Sequence, residues 1–205
     1  TYIGKNAFNG CSSLESISIP ESVNSIKEGT FLNCVSLKVV DLPKSLNTIE
    51  DSAFAGCENL TTISIPRNVR SIGNFTFSEC TSLTNIKISD IQTIRKGIFS
   101  VCPKLETITI PQTVNTIEKF AYYKCTKVSQ IIIPDSVNII KGRVFEGCTS
   151  LISMIIPKSV HTTGKYMFKD CTSLEKVSIY QSFNTLKKGT FAGCKSLTTI
   201  EFHFN

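Results

Sequence analysis

The 205-residue chain is short of the residues and patterns that usually carry chemistry. It has two histidines, His161 and His203, and neither has an evident partner of the kind a nucleophilic triad requires. There is no G-x-G-x-x-G and no phosphate loop, so no cofactor site is expected. No apolar run approaches the roughly 18 residues that span a bilayer. No segment carries a helical apolar stripe of ten or more residues, so little α-helix is expected. The chain has neither a starting methionine nor a signal-peptide pattern. It opens in mid-pattern, at "TYIGKNAF", which suggests a piece of a longer protein without a visible cap at either end. Exposed end coils of that kind can pair edge to edge, so a monomer or an end-to-end dimer is expected.

Charge is uneven. Residues 1–90 hold 7 Lys/Arg and 9 Asp/Glu, whereas residues 91–205 hold 15 and 7, so the formal net charge of +6 arises in the second half. Such a surplus favours acidic partners or is simply a solvated face. Lys119, Lys124, Lys127, Lys141, Arg143, Lys165, Lys169, Lys187 and Lys188 fall on the loops around the cysteines, which belong on the convex side. The aromatic residues there point inward, apart from Tyr123 and Tyr166. That argues against nucleic acid, which needs exposed stacking rings, and makes a sulfated glycan the better polyanion.

What the chain has instead is cysteine, at 11, 34, 57, 80, 102, 125, 148, 171 and 194. Seven of the eight intervals are 23 residues and one is 22. The short one follows Cys80, where "ISDIQTI" has dropped a loop residue. Every column around the cysteine keeps its character. Three residues before it stand Phe8, Phe31, Phe54, Phe77, Phe99, Tyr122, Phe145, Phe168 and Phe191. Three after it stands leucine, or Val128 in one coil. An apolar alternation follows, as in "TTISIP", and six of the strands end in proline.

One 23-residue coil cannot bury its own apolar positions, but stacked coils can place each on its equivalent in the next. The alternation is β-like, and proline ends each strand because it cannot donate to a ladder. The "VRSIG" stretch reads as a second extended segment or turn, and "FxxC" as a tight turn. The expected fold class is a repeat solenoid: a right-handed, β-rich superhelix with a parallel concave sheet, formed by residues 1–205 as one domain of about nine coils.

The cysteines admit three readings. Zinc ligands cluster at short spacings such as C-x₂-C, and here no two cysteines lie within 20 residues. Stacked coils bring neighbouring cysteines into disulfide range by Cα separation, but with parallel side chains, and nine is odd. A ladder of buried thiols fits best, because free cysteine packs as a small apolar residue.

The pattern "LxxIxIPxxVxxIxxxxFxxC" resembles the leucine-rich repeat consensus, and more closely the BspA-like subfamily of 23-residue repeats. The resemblance covers the whole chain. It implies a curved parallel solenoid with an open concave face. Members are typically surface or secreted proteins of host-associated bacteria and anaerobic protists, associated with adhesion to host or matrix proteins. They share no catalytic residues, so an enzyme is the least supported class.

Outward positions fall five and seven residues after each cysteine. They include Thr62 and Ser64, Asn85 and Lys87, Thr107 and Thr109, Gln130 and Ile132, Ser153 and Ile155, and Lys176 and Ser178. Nine strands at about 4.8 Å tile a surface about 40 Å long, enough for a standard protein interface. Most of it is small and hydroxylated. Ile132 and Ile155 break the alternation, with Ile152 nearby, and adjacent exposed isoleucines either mark an interaction site or are drift among strand formers. A protein or glycan ligand on this face is the expected partner, with a structural spacer projecting another domain as the alternative. Asn59 and Asn74 begin glycosylation sequons, which matter only in a eukaryotic secretory pathway.

Overall fold

The computed structural model describes residues 2–88, 90–180 and 186–203. Coil by coil, its strands are β1 (Ser16–Ser18) and β2 (Ser25–Ile26), β3 (Val39–Asp41) and β4 (Thr48–Ile49), β5 (Thr62–Ser64) and β6 (Ser71–Ile72), then β7 (Asn85–Lys87) and β8 (Thr93–Ile94). There follow β9 (Ile108–Thr109) and β10 (Thr116–Ile117), β11 (Ile131–Ile132) and β12 (Ile139–Ile140), β13 (Ser153–Ile156) and β14 (Thr162–Thr163), β15 (Lys176–Ile179), and β16 (Thr199–Phe202). All pairing is parallel and joins equivalent residues of successive coils, as in Ile63↔Ile86 and Met154↔Val177. The odd-numbered strands and β16 lie side by side as the main sheet, hydrogen-bonded in the groups β1–β3, β5–β7, β9–β11 and β13–β15–β16, and the even-numbered strands form a second, narrower ladder in the groups β2–β4–β6 and β8–β10–β12–β14. Among the described residues there is no α-helix.

Turn chemistry links the two ladders. The carbonyl of Pro66 accepts the Val69 N–H at 3.0 Å, and Pro20, Pro43, Pro111, Pro134 and Pro157 do the same for their own coils. Proline therefore stops the main strand and starts the turn that leads to the second. The "FxxC" stretch is a tight turn, closed by Cys57 N–H to the Phe54 carbonyl at 3.3 Å.

The core is a set of stacked columns. Rings from Phe8 to Phe191 form one unbroken parallel stack, with centroids 5.2–5.9 Å apart. The leucine column lies beside it, with Leu37, Leu60, Leu83 and Leu151 fully buried.

Two further columns were not foreseen. Among the described residues, every positive φ falls either five before or one before a cysteine. The first column runs Asn6, Gly29, Ser52, Phe75, Gly97, Phe120, Arg143, Tyr166, Gly189, with φ from 53° to 66°. Left-handed backbone is costly for Phe or Arg. It is held here because most of these residues, Ser52, Phe75, Arg143 and Tyr166 among them, donate their N–H to the next coil, as Phe75 does to the Lys96 carbonyl at 2.8 Å. Gly97 meets the further demand that the Phe75 ring lies where a Cβ would stand.

The shortened coil is absorbed locally. The main strands β5 and β7 still pair across this step, but the second ladder is interrupted between β6 and β8. The gap is an open hollow of about 280 Å³ beside Arg70, Asp90 and Gln92. Arg70 reaches Asp90 across it at 3.6 Å. The neighbouring Phe77–Phe99 step is the widest in the stack, at 5.9 Å.

Candidate binding surface

The outer face of the main sheet is built as the alternation demands. Inward residues such as Ile63, Val40 and Met154 are buried, while their strand neighbours face solvent. Thr62, Ser64, Asn85, Lys87, Thr107, Thr109, Gln130, Ser153 and Lys176 are all exposed, as expected. Ile132 and Ile155 are 69% and 59% exposed, and Ile152 is 50% exposed. Strands β11 and β13 lie side by side, so Ile132 and Ile155 occupy equivalent places in adjacent coils, about 5 Å apart along the axis. The structure brings the expected apolar patch together.

Ser178 is a correction. It was expected on the open surface but is only 8% exposed. It sits in register between Ile155 and Glu201, whose longer side chains overtop it, and its hydroxyl donates to Glu201 Oε2 at 3.0 Å. Glu201 also holds Lys176 at 2.6 Å. These ties pull the carboxyl below its usual range, the Lys176 hydrogen bond first and Ser178 second.

The family model for the BspA type Leucine rich repeat region, six copies, matches residues 1–125 and 92–205. The chain belongs to the BspA-type leucine-rich repeat family. A leucine-rich repeat protein from Bacteroides ovatus superposes with a TM-score of 0.70 at 26% identity, over 97% of this chain and 63% of that one. A leucine rich cell surface protein from Faecalibacterium prausnitzii gives 0.66 at 28%, over 98% and 62%. The leucine-rich repeat protein of T. pallidum gives 0.51 at 25%, over 91% and 68%. The chain thus spans less than two thirds of the first two structures. No functionally curated protein matches it.

In this BspA-type solenoid the cysteines do more than pack. All are free thiols, and Cys34 through Cys171 are buried. Each from Cys34 to Cys194 points its Sγ at the carbonyl of the aromatic residue one coil back, as Cys57 does to Phe31 at 3.3 Å and Cys102 to Phe77 at 3.1 Å. In all of these but Phe99, that carbonyl, with two lone pairs, also accepts the cysteine N–H of its own turn. Burial pushes the Cys57, Cys102 and Cys148 thiols up to about 12 and Cys194 up to about 11. Such thiols are poor nucleophiles. Among the described residues, no three His, Cys, Asp or Glu side chains gather as a metal site would need.

The remaining polar residues serve the coil stack. Glu50 pairs with Lys27 at 2.8 Å, and Asp51 takes the Asn74 N–H at 2.7 Å. Asn59 donates to the Val35 carbonyl at 2.9 Å. His161 is exposed and touches the Thr162 hydroxyl at 3.2 Å. His203 stacks on Tyr180 at 4.1 Å, the two rings holding the places that proline takes in most earlier coils. Asn184, of the His161 column, lies outside the described residues.

Sequence reasoning also missed a surface feature, on the flank where the second ladder enters the cysteine turns. Here Gly142 and Gly164 hold places that most other coils fill with charged side chains, and their backbones approach too closely to admit a Cβ on Gly164. The vacant space is an open groove of about 440 Å³ lined by Lys119, Lys141, Arg143, Lys165, Phe120 and Tyr166, among others. Two glycines interrupting charged columns were the available signal.

Proposed function

We propose that this chain is a non-enzymatic binding module of a surface-exposed or secreted protein, which engages a host or matrix macromolecule through the concave sheet. The observation that carries the reading is the pair Ile132 and Ile155, exposed side by side on a face that, apart from Val39 near one end, is made mostly of small and polar residues. Apolar groups surrounded by hydroxyls give a site that excludes water at its centre and stays soluble at its rim. The Faecalibacterium relative described as a cell surface protein supports the location. No helix among the described residues is long and apolar enough to cross a membrane.

The test is a binding screen against immobilised extracellular-matrix proteins and glycans, with Ile132→Asp/Ile155→Asp run alongside. Both side chains are exposed, so the double variant should melt within about a degree or two of the parent, its stability changing by roughly 0.5 kcal/mol or less per site. Loss of binding with an unchanged melt supports the reading. A collapsed melt would make the pair part of the core, and a parent that binds nothing would favour a spacer.

A further inference from the structure

We propose that the flank groove is a second binding site, and that it takes a sulfated polysaccharide laid along the solenoid axis. The charges come first. Lys119, Lys141, Arg143 and Lys165 converge on the groove from three successive coils. Lys141 is only 4.0 Å from Glu118, and Arg143 shares Glu146 with Lys169. Lys119 and Lys165 are exposed and have no acidic partner among the described residues. Both belong to one column, six residues before a cysteine. In the second half of the chain that column runs Lys96, Lys119, Gly142, Lys165, Lys188. A file of cations repeating at about 5 Å, open at its centre, matches a linear polymer bearing anionic groups at short spacing.

The floor and walls decide between polymers. Single-stranded nucleic acid binds by stacking bases on free aromatic faces. Here the rings are already engaged. Arg143 lies over Tyr166 at 4.6 Å, Lys96 over Phe75 at 5.3 Å, and Phe120 meets Tyr123 edge-on at 5.7 Å. What is left open is cationic heads, backbone at Gly142 and Gly164, and the hydroxyls of Thr162 and Thr163. These suit sulfate groups carried on a hydroxylated sugar chain, and they leave a nucleobase without a platform.

The experiment uses the 205-residue chain with heparin as the probe, measuring affinity over a series of NaCl concentrations. Lys119→Gln/Lys165→Gln removes the two unpaired cations. Lys104→Gln/Lys158→Gln, exposed and outside the groove, makes the same charge change elsewhere. The groove variant should lose at least about tenfold in affinity, and its salt slope should shrink by roughly two. The control should stay within about twofold, its charges being screened from the groove. Equal losses in both variants, or no heparin binding by the parent, would overturn the site. Displacement of heparin by oligothymidylate at equal charge concentration would overturn the polysaccharide assignment. Ile132→Asp/Ile155→Asp should bind heparin like the parent, so this site stands or falls separately from the concave face.

Discussion

Raising the pH from 9 to 10.5 should destabilise this solenoid, because its core is lined with protonated thiols. An unfolded cysteine titrates near 9, whereas Cys57, Cys102 and Cys148 titrate near 12 in the fold, chiefly because burial disfavours the thiolate. Below pH 9 both states keep the proton and these groups do not alter stability. Above it the unfolded chain gives up protons that the folded one retains, so stability falls with rising pH until the folded value is passed. Between pH 9 and 10.5 each thiol removes roughly 1.5 kcal/mol, and the three together roughly 5 kcal/mol. That is a large share of the roughly 5–15 kcal/mol that holds a domain folded. Cys34, Cys80, Cys125 and Cys171 are also shifted up by burial and act in the same direction. The assay is urea denaturation under reducing conditions, followed by circular dichroism, at intervals from pH 7.5 to 10.5. Cys57→Ala/Cys102→Ala/Cys148→Ala should be less stable at pH 7.5 but show a flatter decline. If the triple variant does not fold, Cys102→Ala alone should remove about one third of that difference. A midpoint that stays level across the range, or equal slopes for parent and variant, would refute the thiol account.

Two other outcomes follow from the same geometry. Native protein treated with a thiol reagent should label at Cys11, the exposed cysteine, and more slowly at the half-buried Cys194, with all nine reacting only after denaturation; rapid native labelling of Cys80 or Cys125 would contradict the packed ladder. Gly97→Ala should lower stability by roughly 1–3 kcal/mol in a urea titration, since it puts a side chain at φ 61° and against the Phe75 ring. Phe75→Ala in the same chain should recover part of that loss, and no recovery would mean the ring contact is unimportant.

Much of this was legible in the chain because a repeat writes the same instruction many times. The Phe, Cys and Leu columns gave the coil, and "TTISIP" gave the main strand and its outward residues. The second ladder was less distinct, since strands of two residues, such as Ser71–Ile72, are too short to alternate. The left-handed column was hidden, because Ser52, Phe75 and Arg143 share no chemistry. Their common φ is imposed by hydrogen bonds to the next coil, which act between residues more than 20 apart. The role of the thiols as donors was hidden too, since a small apolar residue would satisfy the same packing pattern. Ser178 was misplaced because exposure there depends on the lengths of Ile155 and Glu201 rather than on its own side of the strand.

The interrupted ladder between β6 and β8 gives the molecule a mechanical anisotropy. At most other steps the second ladder is unbroken, and backbone bonds between successive cysteine turns, such as Phe54 N–H to the Thr76 carbonyl at 3.0 Å, add to it, so tension along the axis is shared. At the shortened coil one seam is missing and a single exposed ion pair, Arg70–Asp90, takes its place. Stretched end to end, the solenoid has a thinner winding at this step, close to where its acidic part meets its basic part. Axial load would be felt at that winding as a give, a few coils from each candidate binding site.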